Sequence, residues 1–506
     1  MGKSLIVFFS CLVLLVLSQA GCTLAAQNKK PTSVVAPAVN DFTCTGPVHA
    51  QAIQLWERSA RPYVTQQLQN GLNKSGNVYV LYYTQEELQS FVEMTRRCKD
   101  LQQIDELAST LNMSFAALRP LPDDPTSTGW VCTGGSTCTT TNKLLGKEVP
   151  LCSMQFLGLI GAIATNIVEN VRPDRRTPAE SAFLENASST MALQVNRWLS
   201  PDYSAWVDDR LHMTPTSVKD GSAKYFYQDK DLWLKTALSD LAELQQASVN
   251  MGTAGAAALK QLQSKRDLIA KMFSLFLKRT TIESSVYGPR ATLDKGYWRL
   301  YTDNRYARYN DTASPVSCNK DDQGRMIKSL RVQSTPDYID VDMSWDISHA
   351  RRLVPALDTF VRNKANITKV FGYSSNAFDP VMLQRAFANQ IVDTIWNKDR
   401  THPLFSNFWD GQNGWYRVGY DNGTGECRSG EAPYSLAWSF PTGSYPQWGA
   451  FDSTIRTLGR QLYQLVSSPE AAPFIDRYYP QLKPSSTPKE IRDIWMLTLA
   501  SSLIGA

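Results

Sequence analysis

The sequence predicts a mainly α protein, an (α/α) toroid-like array of helical hairpins with long aromatic loops. Three observations predict it. Apolar residues recur at three- and four-residue intervals over stretches of helical length, the connections between these stretches are very unequal, and the period-two alternation of strands is scarce. A ring of hairpins satisfies this pattern and gathers the long loops on a shared face. A helical bundle followed by a mixed domain from about residue 285 is the alternative.

The chain opens with Lys3, an apolar run from Leu5 to Leu17, and the small residues Ser18 and Ala20. That order predicts a secretory signal peptide over residues 1–21. The run is shorter than the roughly 20 apolar residues of a membrane span. Ala20-Gly21-Cys22 resembles the end of a bacterial lipobox, so membrane attachment through a lipid on Cys22 stands beside simple secretion. Either outcome places the protein outside the cytoplasm: periplasmic, an outer-membrane lipoprotein, or secreted. Residues 22–46 read as a tether, 47–150 as a helical N-terminal region with an insert, and 151–506 as the main helical domain.

Within the first region, Ile53, Trp56, Ala60, Val64 and Leu68 mark a helix over Ala50 to Leu68. Val78 to Tyr83 reads as a short strand or a buried helix, and a helix follows from Glu86 to Leu111. Residues 119–146 carry Pro120, Pro122, Pro125, Gly129, Gly134 and Gly135, a turn-rich insert. Further helices are expected over Leu151 to Val171, Ala179 to Leu199, Asp231 to Ser248 and Ala254 to Leu277. The first of these is greasy but interrupted by Ser153, Gln155, Thr165 and Asn166, which predicts burial rather than a membrane span. Three more, Ser348 to Asn363, Val381 to Trp396 and Ala450 to Ser467, are separated by aromatic-rich loops.

Composition narrows the function. With 43% hydrophobic and 20% charged residues the chain is a folding sequence. A net charge of +5 without basic runs gives no nucleic-acid footprint. The nine cysteines lack the paired close spacing of a zinc site and only four histidines exist, so no metal or other cofactor is expected. Disulfides are the better use of them. Cys132 and Cys138 can close the short loop between them, and Cys44–Cys98 and Cys318–Cys427 are plausible long-range pairs; Cys152 is then left over unless Cys22 is free to pair, so the connectivity stays open.

Three segments carry candidate chemistry. In Trp345-Asp346-Ile347-Ser348-His349-Ala350-Arg351-Arg352, Asp346 or Ser348 caps a helix and sets His349 and Arg352 on one face. Such a pair can orient and neutralise an anionic substrate group. The plain alternative is a helix cap with solvated basic residues. The run from Asn407 to Arg417 packs Asn407, Trp409, Asp410, Asn413, Trp415, Tyr416 and Arg417 together. Aromatic faces stack on sugar rings while amides, carboxylates and guanidinium groups match their hydroxyls and carboxylates. A packed aromatic loop is the alternative there. Trp298 and Arg305, with the later Tyr445 and Trp448, repeat the mixture and read as walls of a carbohydrate groove.

Helical hairpins with Trp/Tyr/Asn/Arg loops behind a secretory leader resemble the toroidal polysaccharide lyases and glycoside hydrolases. The resemblance implies a polysaccharide substrate and one of two reactions. β-Elimination on an acidic glycan needs a neutraliser for the uronate and an acid/base group, which His349, Arg352, Asn413, Tyr416 and Arg417 supply. Hydrolysis needs paired carboxylates, for which Asp346, Asp410 and Asp421 are candidates with Glu426 in reserve. The Arg and Tyr content near His349 favours elimination. A non-catalytic glycan-binding or cell-envelope lipoprotein is the rival from another class.

Overall fold

Several helix starts in this chain are written by a short polar residue followed by proline. Thr177-Pro178, Ser200-Pro201 and Asp379-Pro380 each place an oxygen acceptor at the N-cap and a ring at the first helical position. At Thr177 the cap is reciprocal, since Glu180 bonds back to the Thr177 backbone N–H. The computed structural model describes residues 39–218, 223–298, 316–330, 342–411, 436–482 and 487–506. In these residues the fold is mainly α.

A helical run begins with α1 (Pro47–Leu55), widens to π geometry over Trp56–Ala60, returns as α2 (Arg61–Gln66) and widens again over Gln67–Lys74. Pro62 has no N–H for the Arg58 carbonyl, and the Arg61 N–H reaches back five residues to Trp56 instead. Then come α3 (Tyr79–Cys98), α4 (Leu101–Asn112), and a three-stranded sheet of β1 (Leu118–Leu121), β2 (Asp124–Cys132) and β3 (Lys147–Glu148) in the turn-rich insert. Helices α5 (Pro150–Asn170), α6 (Pro178–Trp198), α7 (Pro201–His212), α8 (Asp229–Gln246), α9 (Gly252–Ser264) and α10 (Arg266–Arg279) follow. Two antiparallel hairpins come next, β4 (Thr280–Ser285) with β5 (Gly288–Leu293) and β6 (Val316–Lys320) with β7 (Met326–Leu330). The rest is α11 (Ile347–Ala350), α12 (Leu353–Phe371), α13 (Pro380–Gln390), α14 (Ser439–Thr442), α15 (Ser453–Ser467), α16 (Ala472–Tyr478) and α17 (Lys489–Leu503).

One continuous apolar core runs from Phe42 to Ile504. At its centre lies α5, buried nearly all round and packed on α3, α4, α6 and α8. It is the one helix among the described residues long and apolar enough to cross a membrane, and its burial is that of a core helix, as its polar interruptions predict. Helix α12 packs on α8, and α17 returns to cover α1 and α3. The C-terminal helix therefore seals the N-terminal region.

Several boundaries differ from the expectation. The helix expected over 86–111 is two, because Lys99 takes the left-handed conformation (φ 56°) and turns the chain between α3 and α4. The helix expected over 254–277 breaks at Lys265, whose ammonium bonds the Asn196 carbonyl on α6. Ser348 to Asn363 divides at Arg351 and Arg352 into α11 and α12. For Val78 to Tyr83, the helical reading of the two is the one observed, with Val78 as the N-cap of α3.

Disulfides join Cys44 to Cys98 and Cys132 to Cys138, with Cα separations of 5.3 and 5.4 Å. Cys152 is buried and unbonded, the leftover thiol. The expected Cys318–Cys427 pairing involves Cys427, which lies outside the described residues.

Candidate functional site

Asp346 sits just before α11 and is 6% exposed. Its Oδ1 accepts from the Ser348 and His349 backbone N–H groups, both at 2.9 Å, and from the Ser348 hydroxyl at 2.6 Å. Its Oδ2 accepts from His349 Nδ1 at 2.7 Å. An ionised carboxylate only accepts, so Nδ1 carries the proton and Nε2 is left outward. His349 is 23% exposed in its side chain, and Nε2 has no hydrogen-bond partner among the described residues.

Two opposed effects act on this imidazole. Burial disfavours its charge, while the Asp346 carboxylate beside it favours it and wins, so the His349 pKa is raised. The Asp346 carboxyl is also buried, yet His349 and the donors around it hold its pKa below the ordinary value.

Arg352, 4% exposed, organises the neighbouring elements. Its Nε meets Asp229, the first residue of α8, at 3.0 Å. Its Nη2 donates to the Tyr82 hydroxyl of α3 at 2.6 Å and its Nη1 to the Ser348 carbonyl at 3.0 Å. Arg351 pairs with Glu86 of α3. Burial first, and the adjacent Arg352 charge second, lower the Arg351 pKa to about 10. Arg351 Nη1 is buried and has no hydrogen-bond partner among the described residues. Arg351 also lines, with Glu86, Gln89, Arg352 and Ser444, a cavity of about 20 Å³, room for about one water.

The first two candidate segments do converge. Ile347 N–H donates to the Asn407 carbonyl at 2.8 Å and Trp409 N–H to the Trp345 carbonyl at 2.7 Å, bridging residues 345–347 to 407–409. The large aromatics there, however, are core. Trp409, Tyr445 and Trp448 are 0, 0 and 1% exposed. Each finds an internal partner: Trp409 Nε1 on Ala291 O at 3.0 Å, Tyr445 Oη on Ile347 O at 2.7 Å, Trp448 Nε1 on Asp358 at 3.2 Å. Asn407 is 0% exposed and its side-chain oxygen accepts from Leu436 N–H at 2.8 Å. Trp298 is half-buried, stacked on Phe226 at 4.4 Å with Nε1 on Asp294. These rings and this amide are packed side chains rather than an open sugar platform, because their polar atoms are already satisfied inside. Asp410 is half-buried. Arg305, Asn413, Trp415, Tyr416, Arg417, Asp421 and Glu426 lie outside the described residues.

Tyr82, Glu86 and Asp229 belong to the cluster and were not named as site residues from sequence. Asp229 had a local signature as an acidic helix start, whereas Tyr82 and Glu86 are joined to Arg351 and Arg352 only by the fold.

Deeper in, between α3, α5, α8 and α12, Glu93, Glu169 and Asp240 surround Arg96 and Arg362. Asp240 is 0% exposed, and burial raises its pKa well above the ordinary carboxylate range. A separate buried pair, Arg210 with Asp231, is bidentate at 2.7 and 2.8 Å and ties α7 to α8. His49, Cys98 and Asp100 cluster as metal ligands do, but the Cys98 sulfur is spent on its disulfide.

Compared with protein-family models, curated proteins and solved structures, the chain matches none.

Proposed function

We propose that this chain is an exported enzyme that cleaves an acidic polysaccharide by β-elimination. The observation that carries the reading is the Asp346–His349 pair, which favours the charged form of the imidazole and leaves Nε2 unengaged at a partly exposed edge. An imidazolium held this way is suited to donate a proton to the departing glycosidic oxygen. Neutralisation of the uronate carboxylate is assigned to Arg417, because Arg351 and Arg352 are covered and paired with Glu86 and Asp229. Tyr416 is the proposed base, and Arg305, Asn413, Trp415 and Arg417 are proposed to hold the chain of sugars.

Of the hydrolytic candidates, Asp346 is the one that loses support. Asp346 accepts four hydrogen bonds, is almost fully covered and stays ionised, which suits neither a general acid nor an accessible nucleophile. The toroid-like hairpin array belongs to the same proposal, supported by the succession of α3 on α5, α5 on α8 and α8 on α12. Two disulfides support an oxidising compartment, and with it an exported chain.

A second reading, a non-catalytic cell-envelope protein, is favoured by one observation. Trp409, Tyr445 and Trp448 are core residues and the cavity beside Arg351 admits about one water. The deciding experiment offers the mature protein a panel of acidic and neutral polysaccharides, following ultraviolet absorbance of unsaturated uronates together with new reducing ends. Both rising establishes elimination, and reducing ends alone establish hydrolysis. Silence on every substrate leaves the non-catalytic reading. His349→Gln and Tyr416→Phe are expected to abolish turnover with binding kept; unchanged turnover in either removes that residue from the mechanism.

A further inference from the structure

The tip of the β4–β5 hairpin stands out from the surface. Ser285 pairs with Gly288, so Val286 and Tyr287 form the two-residue turn, with Gly288 at φ 99°. Val286 is 93% exposed and Tyr287 50%. Beneath Tyr287 opens a cleft of about 430 Å³, within the size range of small-ligand sites. Tyr287, Val381, Met382 and Phe451 supply apolar surface, and Asp379, Arg385 and Asp452 supply polar groups.

These polar groups have capacity to spare. Arg385 lies 5.4 Å from the Phe451 ring centre and engages no hydrogen bond or ion pair among the described residues. Asp379 caps α13 and Asp452 caps α15, each through Oδ1 alone. The Oδ2 atoms have no hydrogen bond among the described residues. The lining therefore offers an exposed ring, a fork of donors on an aromatic face, and two acceptor oxygens. With Lys398, whose ammonium lies 5.4 Å from the Tyr287 ring centre, two carboxylates face two cations, and this balance favours a neutral ligand over a charged one.

We infer that this cleft is a binding subsite for a neutral saccharide. A pyranose presents a C–H face to stack on Tyr287 and hydroxyls that donate to the Asp379 and Asp452 oxygens and accept from Arg385. The subsite takes a saccharide, as the proposed function does, but a neutral one, and it does not need catalysis at His349.

The test is calorimetric or NMR titration of the full mature protein with maltose, cellobiose and N,N′-diacetylchitobiose, with galacturonate and its dimer as charged controls. At least one neutral disaccharide is expected to bind at millimolar concentration. Tyr287→Ala and Arg385→Ala, both surface changes whose folding is checked by thermal melting, are each expected to weaken it at least tenfold. No neutral binding, binding unchanged in both variants, or tighter binding of the uronates would each overturn the inference. Absence of turnover on the polysaccharide panel with disaccharide binding intact would refute the proposed function alone. Turnover without disaccharide binding would refute the subsite alone.

Discussion

Replacing Asp346 by asparagine keeps an oxygen at the head of α11 and removes the charge that holds His349. In the native protein burial works against the imidazolium and the carboxylate 2.7 Å away outweighs it. A hydrogen bond to a charged group contributes about 1.5–3 kcal/mol. At about 1.36 kcal/mol per tenfold change, its loss lowers the proton affinity of His349 by roughly 10- to 150-fold. Burial then prevails, so His349 should move from above its ordinary pKa to below it in D346N. The assay is an imidazole NMR titration, tractable because the sequence holds four histidines and a His349→Gln sample identifies the resonance.

The same pair fixes a stability window. A histidine whose folded pKa is raised contributes stability that is complete below its unfolded pKa and lost as pH rises through the folded one. The depressed Asp346 carboxyl contributes stability above its unfolded pKa, lost as pH falls through its folded value. The stability gap between native and D346N protein is therefore widest between the two titrations and narrows on the alkaline side. A His349 resonance that titrates identically in both proteins would refute this account of the site.

Glu87 is 7% exposed and burial lifts its pKa from 4.5 to about 8. Its contribution is complete below pH 4.5 and lost as pH rises towards 8, so Glu87→Gln should reduce the stability lost between pH 5 and pH 8 by about 3 kcal/mol in urea titrations. In α5, a Cβ on Gly161 would lie 2.5 Å from Asp240 Oδ2 and 2.9 Å from Met191 Cε. Gly161→Ala should therefore destabilise by about 1–3 kcal/mol despite the better helix propensity of alanine, read by chemical unfolding. Cys44 and Cys98 are 54 residues apart, so loop-closure entropy predicts a loss of about 4 kcal/mol for the double alanine variant. A loss smaller than that of the Cys132/Cys138 variant, whose loop is far shorter, would contradict that ordering.

What the sequence discloses here is what is local. The cap at Asp346, the polar residues before Pro178, Pro201 and Pro380, and the greasy but interrupted α5 are set by neighbours a few positions away. The disulfide of Cys132 with Cys138 is local in the same sense. The break at Lys265 depends on a carbonyl of α6, and no periodicity in its own segment records it. The aromatic segments misled for a related reason. A tryptophan or tyrosine amid polar residues has the pattern of an exposed platform until its N–H or O–H is seen to have a partner. For Trp409 that partner is 118 residues away and for Tyr445 it is 98. With the polar atom satisfied, burying the ring is favourable, and the ring becomes core.

The cluster around His349 shows why its charges have to be counted together. Asp346, Asp229 and Glu86 bring three carboxylates; Arg351 and Arg352 bring two guanidinium groups. With a neutral imidazole the set carries an uncompensated negative charge in a largely covered place, which is costly. A proton on His349 balances it. The cluster therefore favours the acid form of His349, in the direction in which its pKa is raised. An arriving uronate would add one more negative charge and so strengthen the hold on the proton. Departure of a glycosidic oxygen as an incipient alkoxide is the event that draws it off. In the elimination proposed above, these electrostatics suit His349 to the leaving-group side and leave the abstraction of the sugar proton to a different group, the role proposed for Tyr416.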